Sequence, residues 1–281
     1  MSDGAWYARF SDQAVDVDGS DLDPVRDAAR DAEVWVALGV TERLRSGTLN
    51  NTVVYIDARG DIVARHRKLI PTGAERLIWG NGQGELLTTV DVGGVRVGSL
   101  ICWENYMPLA RAAMYQSGID VLLAPTWDNS DEWVPTLRHI AKEGQIFVVG
   151  ITACLRGSDV PRDLPDAGEL YGGDDDWLSI GNTSIVAPGG EVLAGPLTGT
   201  KITLGEQPIL IGRADDSTLV LTDDFASSRH ARLTNRGGQW YVEDLGSTNG
   251  TYLDQQRVQG PLLINPGQPI RIGQTALELR T

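Results

Sequence analysis

Apolar residues in this chain come in short runs broken by polar turns, and the rhythm of the runs changes near residue 200. Before that point apolar strands alternate with helix-like stretches. Asp23-Pro24 opens a short helix to about residue 32, with proline in the first turn, where its missing N–H costs nothing. Residues 34–40 read as a buried strand. Residues 53–58 and 62–67 flank Arg59-Gly60-Asp61 as a hairpin, and 86–92 and 95–101 flank Gly93-Gly94 as a second. A helix over 104–116, a strand over 120–124, a helix over 135–144 and a strand over 146–152 follow. Apolar strands interleaved with helices predict an α/β layer fold with its sheet enclosed.

Residues 155–180 change character. Arg156-Gly157-Ser158-Asp159 and Gly172-Gly173-Asp174-Asp175-Asp176 are loop chemistry. The acidic triplet reads as a solvated loop tip, because hard-cation sites need converging ligands and not a run. From about Thr200 short strands take over, at 209–211, 219–221, 230–233, 240–243, 251–253, 270–272 and 276–279. Turns at Arg236-Gly237-Gly238, Asn249-Gly250 and Pro266-Gly267 separate several of them, the pattern of a β-sandwich. The boundary falls near Leu197-Thr198-Gly199, giving an α/β domain over 1–198 and an all-β domain over 199–281.

Composition narrows the function classes. The 281 residues carry a net charge of −14, of which residues 1–200 hold −13 (16 Lys and Arg against 29 Asp and Glu). An acidic chain is a poor nucleic-acid binder, since phosphate neutralisation needs clustered Lys and Arg. Apolar runs fall far short of the ~20 residues of a membrane helix, and no signal peptide is read after Met1. Two cysteines, Cys102 and Cys154, make no disulfide framework and fit a reducing cytoplasm. The expectation is a cytoplasmic protein with no membrane or nucleic-acid partner, no metal and no cofactor.

Cys102 ends the apolar run Val95-Arg96-Val97-Gly98-Ser99-Leu100-Ile101 just where a helix-like stretch begins. A thiol at a strand-to-helix turn is placed for nucleophilic chemistry, and unpaired N–H groups at a helix start favour the thiolate. Lys68 closes a strand, where a cation would stabilise the anion formed on attack. Alone, a buried cysteine is more often an inert core residue and a strand-end lysine mostly a solvated surface group. Cys154 has no comparable setting and reads as core packing.

The surrounding words are more specific. His66-Arg67-Lys68-Leu69-Ile70-Pro71-Thr72, Glu75-Arg76 with Trp79-Gly80, Cys102-Trp103-Glu104-Asn105 with Pro108-Leu109 and Arg111, Ala124-Pro125-Thr126, and Arg138-His139-Ile140-Ala141-Lys142-Glu143-Gly144 occur in this order. In them the chain resembles the nitrilase family of carbon–nitrogen hydrolases, an αββα layer fold. The resemblance implies that Cys102 attacks a nitrile carbon, that Lys68 stabilises the tetrahedral intermediate, and that Glu75 is a supporting second glutamate. Carboxylic acid and ammonia would be the products, and self-association would be common. The family's triad glutamate lies farther upstream of the lysine than residue 1. Glu33 and Glu42 come too late in the pattern to replace it, and the closing strands after Gly195-Pro196-Leu197 have no counterpart. An incomplete domain with little hydrolase activity is therefore expected, since a missing general base is worth roughly 10²–10⁴-fold in rate.

The all-β segment carries Gly212-Arg213, then Ser227-Ser228-Arg229-His230, then Gly246-Ser247-Thr248-Asn249-Gly250. The planar fork of Arg213 suits a dianionic phosphate, and Ser227 and Thr248 bring hydroxyls. This order resembles the forkhead-associated (FHA) domain, most nearly that of mycobacterial FHA proteins. It implies a phosphothreonine site lined by Arg213, Ser227, Ser228, Thr248 and Asn249, with Arg229 on the phosphate side and Gly212, His230 and Gly250 as structural residues. Three readings follow: a phosphothreonine-binding protein with a degenerate hydrolase domain, a nitrile or amide hydrolase recruited to phosphorylated partners, and a recent or artificial fusion.

Overall fold

The computed structural model describes residues 3–83, 87–128, 130–164, 171, 173, 176–198, 204–205, 207–221 and 223–279. The chain divides into two compact units, Met1–Gly199 and Thr200–Thr281, each described by itself.

The first unit opens with α1 (Asp3–Gln13), which the sequence pattern did not reveal, and α2 (Asp23–Ala32). An antiparallel sheet follows: β1 (Val36–Arg43), β2 (Leu49–Ile56) and β3 (Ile62–Arg67), in the order β1-β2-β3. At the β2–β3 turn the Asp57 carboxylate accepts the N–H groups of Arg59 and Asp61, both at 2.9 Å. Side chains alternate across a strand, and β2 buries both faces. Val54 and Ile56 pack with Val17, Leu22 and Ala29 on the α2 side. Val53 and Tyr55 point the other way, into a cluster with Val90, Val97, Ile101, Cys102 and Leu123.

That cluster is the seam with a second sheet. It is built from β4 (Thr89–Val92), β5 (Val95–Ser99), β6 (Val121–Thr126), β7 (Phe147–Thr152), β8 (Cys154–Arg156), β9 (Trp177–Val186) and β10 (Val192–Thr198). Its order is β10-β9-β7-β6-β5-β4, with β8 on β9. β5, β6 and β7 run parallel, joined by α3 (Pro108–Gln116) and α4 (Trp133–Gly144). These helices cover the outer face through Met114, Trp133, Leu137 and Ile140 against Leu122, Ala124 and Val148. Helix, sheet, sheet, helix is thus the layering of this unit.

Three expectations need correction. The helix over 104–116 is a 3₁₀ turn, Cys102–Tyr106, followed by α3; Pro108, without an N–H, starts a helix and cannot continue one. Cys154 is exposed at the start of β8, not packed in a core. β9 begins at Trp177, inside the 155–180 stretch read as loop, where buried polar Ser179 masks its strand character. Leu86, Gly172, Asp174, Asp175 and Gly199 lie outside the described residues. No helix among the described residues is long and apolar enough to cross a membrane.

The second unit pairs a five-stranded sheet with a four-stranded one. The first has β11 (Ile209–Gly212), β12 (Leu219–Val220), β13 (Ala231–Arg236), β14 (Gln239–Asp244) and β17 (Leu262–Leu263), ordered β12-β11-β13-β14-β17. The second has β15 (Thr251–Leu253), β16 (Gln256–Arg257), β18 (Pro269–Ile272) and β19 (Thr275–Glu278), ordered β16-β15-β18-β19. Ile211, Val242, Leu253, Ile270 and Ile272 share one core, so the sheets form a sandwich.

Glu42 lies on the α2 side of β1 and is 1% exposed. Its carboxylate accepts bonds from Thr52 Oγ1 (2.9 Å), Arg65 Nη1 (3.0 Å) and Arg67 Nε and Nη2 (2.7 and 2.6 Å). Burial pushes its carboxyl up, but Arg67, Thr52 and Arg65 together hold it below the ordinary glutamate range. Removing one partner of a buried pair costs about 3–5 kcal/mol, and Glu42→Ala is expected to cost that much in urea unfolding of the first unit at pH 7. Because the folded carboxyl is depressed, this stabilisation is complete above the unfolded value of about 4.3 and disappears as pH falls through the folded one. The penalty should therefore shrink in acid; a pH-independent penalty would contradict the ion-pair account.

Candidate functional site

Cys102 follows β5 through Leu100 and Ile101 and has φ of 56°. This left-handed conformation is costly for a residue with a Cβ, so neighbouring groups must impose it. Asn105 does so from within the turn: its Nδ2 donates to the carbonyls of Leu100 and Cys102, both at 2.8 Å. Arg111 Nη1 donates to the Asn105 carbonyl at 2.9 Å, and its Nε donates to Glu143 of α4 at 2.9 Å. Tyr115 also donates to Glu143, at 2.8 Å. Arg111 foremost holds the Glu143 carboxyl below the usual glutamate range. The elbow is thus braced from α3 and α4.

A second brace comes from Glu104, which is fully buried. One oxygen accepts the Ile101 N–H (2.5 Å) and bonds His66 Nε2 (2.9 Å); the other accepts the Leu69 N–H (2.6 Å). One carboxylate therefore joins the residue before Cys102 to the residue after Lys68. His66 pairs in register with Val53, so it lies on the seam side of β3. Lys68, two residues on, is 1% exposed and donates from Nζ to Glu75 Oε2 at 2.6 Å. That same Glu75 oxygen accepts the Thr72 N–H at 2.7 Å, which fixes the short turn carrying it. Tyr55, in the seam beside Cys102, has its phenol pushed up to about 12 by burial, so it stays protonated.

Glu33 and Glu42 are the glutamates upstream of Lys68. Glu33 is exposed at the end of α2, and Glu42 faces away from the seam, held by Arg65 and Arg67. Sequence reading quoted His66, Glu104 and Asn105 but gave them no role. The available signal was a charged or polar side chain set among buried apolar positions, which demands partners.

In the second unit the quoted residues gather on the loops at one end of β11, β13 and β14. Gly212 is required sterically: a Cβ there would stand 2.1 Å from the Ser228 carbonyl oxygen. Arg213 N–H then bonds the Ser227 carbonyl at 3.1 Å. Its Nε donates to the Ala226 carbonyl at 2.7 Å, while Nη1 has only a long contact with exposed Asp224 at 3.8 Å. Ser227 Oγ accepts the Thr248 N–H at 3.1 Å, so the two hydroxyl-bearing loops touch. Asn249 Nδ2 donates to the Phe225 carbonyl at 2.8 Å. Ser228, Arg229, Thr248 and Asn249 are exposed, and Arg229 pairs with Asp216 at 2.7 Å.

Beneath these exposed groups the loops are pinned by buried ones. His230 is fully buried; its Nδ1 accepts the Ser227 N–H (2.9 Å) and its Nε2 donates to the Gly250 carbonyl (3.2 Å). Asp244 accepts the N–H groups of Gly246 and Ser247 and the hydroxyls of Ser247 and Thr251, at 2.6–3.0 Å. Gly250 closes that loop at φ 80°. Burial opposes ionisation of Asp244, but the Ser247 and Thr251 hydroxyls and these N–H groups hold its carboxyl below the usual range. The result is a pinned cradle with Arg213, Arg229 and several hydroxyl and amide groups on its rim.

Comparison with known proteins agrees with both halves. The carbon-nitrogen hydrolase family matches residues 2–208 and the FHA domain matches 209–273. An aliphatic nitrilase of Sinorhizobium fredii is 43% identical over 190 residues, 68% of this chain and 60% of that one. A bifunctional nitrilase/nitrile hydratase of Nicotiana tabacum is 37% identical over 195 residues, covering 68% and 55%. The chain thus spans less than two-thirds of the length of these relatives. The FHA domain-containing protein FhaB of Mycobacterium tuberculosis is 68% identical over 89 residues, 32% of this chain and 57% of that one. Among solved structures, Nit3 of Saccharomyces cerevisiae, of the nitrilase superfamily, has a TM-score of 0.55 at 16% identity, covering 68% of each chain. An amidase from Nesterenkonia sp. has 0.51 at 21%, covering 63% and 62%. These two share the fold. The chain belongs to the carbon-nitrogen hydrolase family and carries an FHA domain after its hydrolase-like unit.

Proposed function

We propose that this protein binds phosphothreonine peptides through its FHA unit, and that its hydrolase-like unit turns over nitriles or amides weakly or not at all. The observation that carries the first part is the Arg213–Ser227–Thr248 rim. A fixed guanidinium stands over a loop whose serine and threonine are already bonded to each other, so a phosphate dianion meets donors that need little reordering. Asn249, held against Phe225, stands ready to bond an extended peptide backbone. The 68% identity to FhaB supports the same reading.

For the first unit, the Lys68–Glu75 pair and the Glu104 tethers to Leu69 and Ile101 support reading Cys102, Lys68 and Glu75 as one nucleophile-and-cation site, but Glu33 and Glu42 lie elsewhere. Glu33 and Glu42 are therefore not placed to activate water at Cys102, and slow turnover is expected of the residues gathered here alone. A second reading, an active nitrile hydrolase recruited by its FHA unit, is favoured by the buried 2.6 Å Lys68–Glu75 bond. An ordered ion pair of this kind is what stabilising an anionic intermediate requires.

Titration of a phosphothreonine peptide should show binding that Arg213→Ala weakens at least tenfold, about 1.5–3 kcal/mol for a charge-assisted contact. Equal affinity for the unphosphorylated peptide would reject the phosphate site. Ammonia release from a panel of nitriles and amides should not differ from Cys102→Ala; turnover that vanishes in that variant would establish the second reading. Asp244→Ala should free the Gly246–Thr251 loop, raising amide exchange at Gly246, Ser247 and Gly250 and weakening peptide binding. The Asp244 carboxyl is depressed on folding, so its hold is complete above about pH 4 and lost as pH falls through the folded value. Protection factors of the native chain at these amides, taken against intrinsic exchange at each pH, should fall in acid and approach the variant's.

A further inference from the structure

We infer that Glu104 is a positioning residue that couples Lys68 to Cys102, and that it works because two backbone donors from different segments need the same ionised carboxylate. This rests on the reading that Cys102 and Lys68 act as one site. The carboxylate is fully buried, and each oxygen carries a distinct tether. Oε1 takes the Leu69 N–H, beside Lys68; Oε2 takes the Ile101 N–H, beside Cys102, and shares with His66 Nε2. A carboxylate only accepts, so His66 donates from Nε2. Its Nδ1 has no partner among the described residues. Both Glu104 oxygens thus act as acceptors, one for each backbone group.

An isosteric amide cannot do the same. In Glu104→Gln one position becomes an NH₂ donor. Placed at Oε2 it opposes the Ile101 N–H; placed at Oε1 it opposes the Leu69 N–H. His66 can change tautomer to accept from an amide, but a backbone N–H cannot. One of the two tethers is lost in either orientation, although the shape of the side chain is kept. Glu104→Asp is shorter by one methylene and spans one segment at a time.

The test reads the coupling without requiring turnover. In the full chain carrying Cys154→Ser, alkylation of Cys102 by iodoacetamide at pH 7 is followed by site-resolved mass spectrometry, with Lys68 present or replaced by Met. With Glu104 intact, Lys68→Met should slow alkylation about tenfold, because a nearby cation sustains the thiolate. In the Glu104→Gln background the same replacement should change the rate by less than about twofold, the non-additivity that marks a broken coupling. Glu104→Asp should behave like Gln and serves if Gln does not fold. A Lys68 effect of equal size with and without the Glu104 substitution would overturn the proposal while leaving the shared site intact. No Lys68 effect in the Glu104 chain would reject the shared site itself, and the coupling with it. Failure of both Glu104 variants to fold would make Glu104 a folding residue and likewise overturn the proposal.

Discussion

The hydrolase-like unit depends on one buried carboxylate. Taking an ionised group out of water costs several kcal/mol unless donors replace the solvent, and Glu104 has no exposed atom to relieve that cost. Its donors come from three places: the end of β3 (His66), the residue after Lys68 and the residue before Cys102. The two sheets therefore cannot slide or separate at this point without stranding a charge. Apolar contacts at the seam, such as Val53 and Tyr55 on Val97 and Leu123, supply attraction but tolerate small displacements. The carboxylate supplies register, and with Asn105 and Arg111 it holds Cys102 in a backbone conformation that the residue does not prefer.

Strand periodicity decides which charges join this site. His66 sits on the seam side of β3, and Lys68 follows it two residues on. Arg65 and Arg67 fall on the other side and close on Glu42. Two adjacent ionic systems are thus kept apart by a single residue step: one faces α2, the other reaches the residue before Cys102. The same step disposes of Glu42 as a base. Glu42 lies on the α2 face of β1, and only a backbone slip that reversed every side chain of that strand would bring it to the seam.

Much of this was legible in the sequence, for a physical reason. Strands with purely apolar faces, such as β6 and β7, announce themselves, and so do turns marked by Asp57-Ala58-Arg59-Gly60. What was hidden lies where polar residues do buried work. The start of β9 lies in a stretch that reads as loop, and Ser179 there points inward. The continuous helix anticipated after Glu104 splits at Met107, because the side chains of Glu104 and Asn105 are spent on Ile101, Leu69, Leu100 and Cys102. Glu104 and His66 were visible as letters of a motif, yet their bond spans 38 residues and no local pattern encodes it. Cys154 shows the converse: an apolar-looking residue after a core strand is exposed, since the three-residue strand it opens pairs with β9 alone.

The two units solve the problem of rigid functional groups in different ways, and the difference bears on how each tolerates change. Around Cys102 the functional and bracing groups are interlocked below the surface: Glu104, Asn105 and Lys68 are all buried, so an error in one strands donors belonging to the others. In the FHA unit the division is by depth. His230, Asp244 and Ser247 pin backbone groups beneath the rim, while Arg213, Ser228, Thr248 and Asn249 stand in solvent above it. Exposed side chains on a pinned backbone can be exchanged with little effect on folding, because the exchange leaves no buried group unpaired. Recognition by such a rim can be retuned one residue at a time. The elbow at Cys102 has no comparable freedom: its carboxylate, its amide and its lysine hold only as a set.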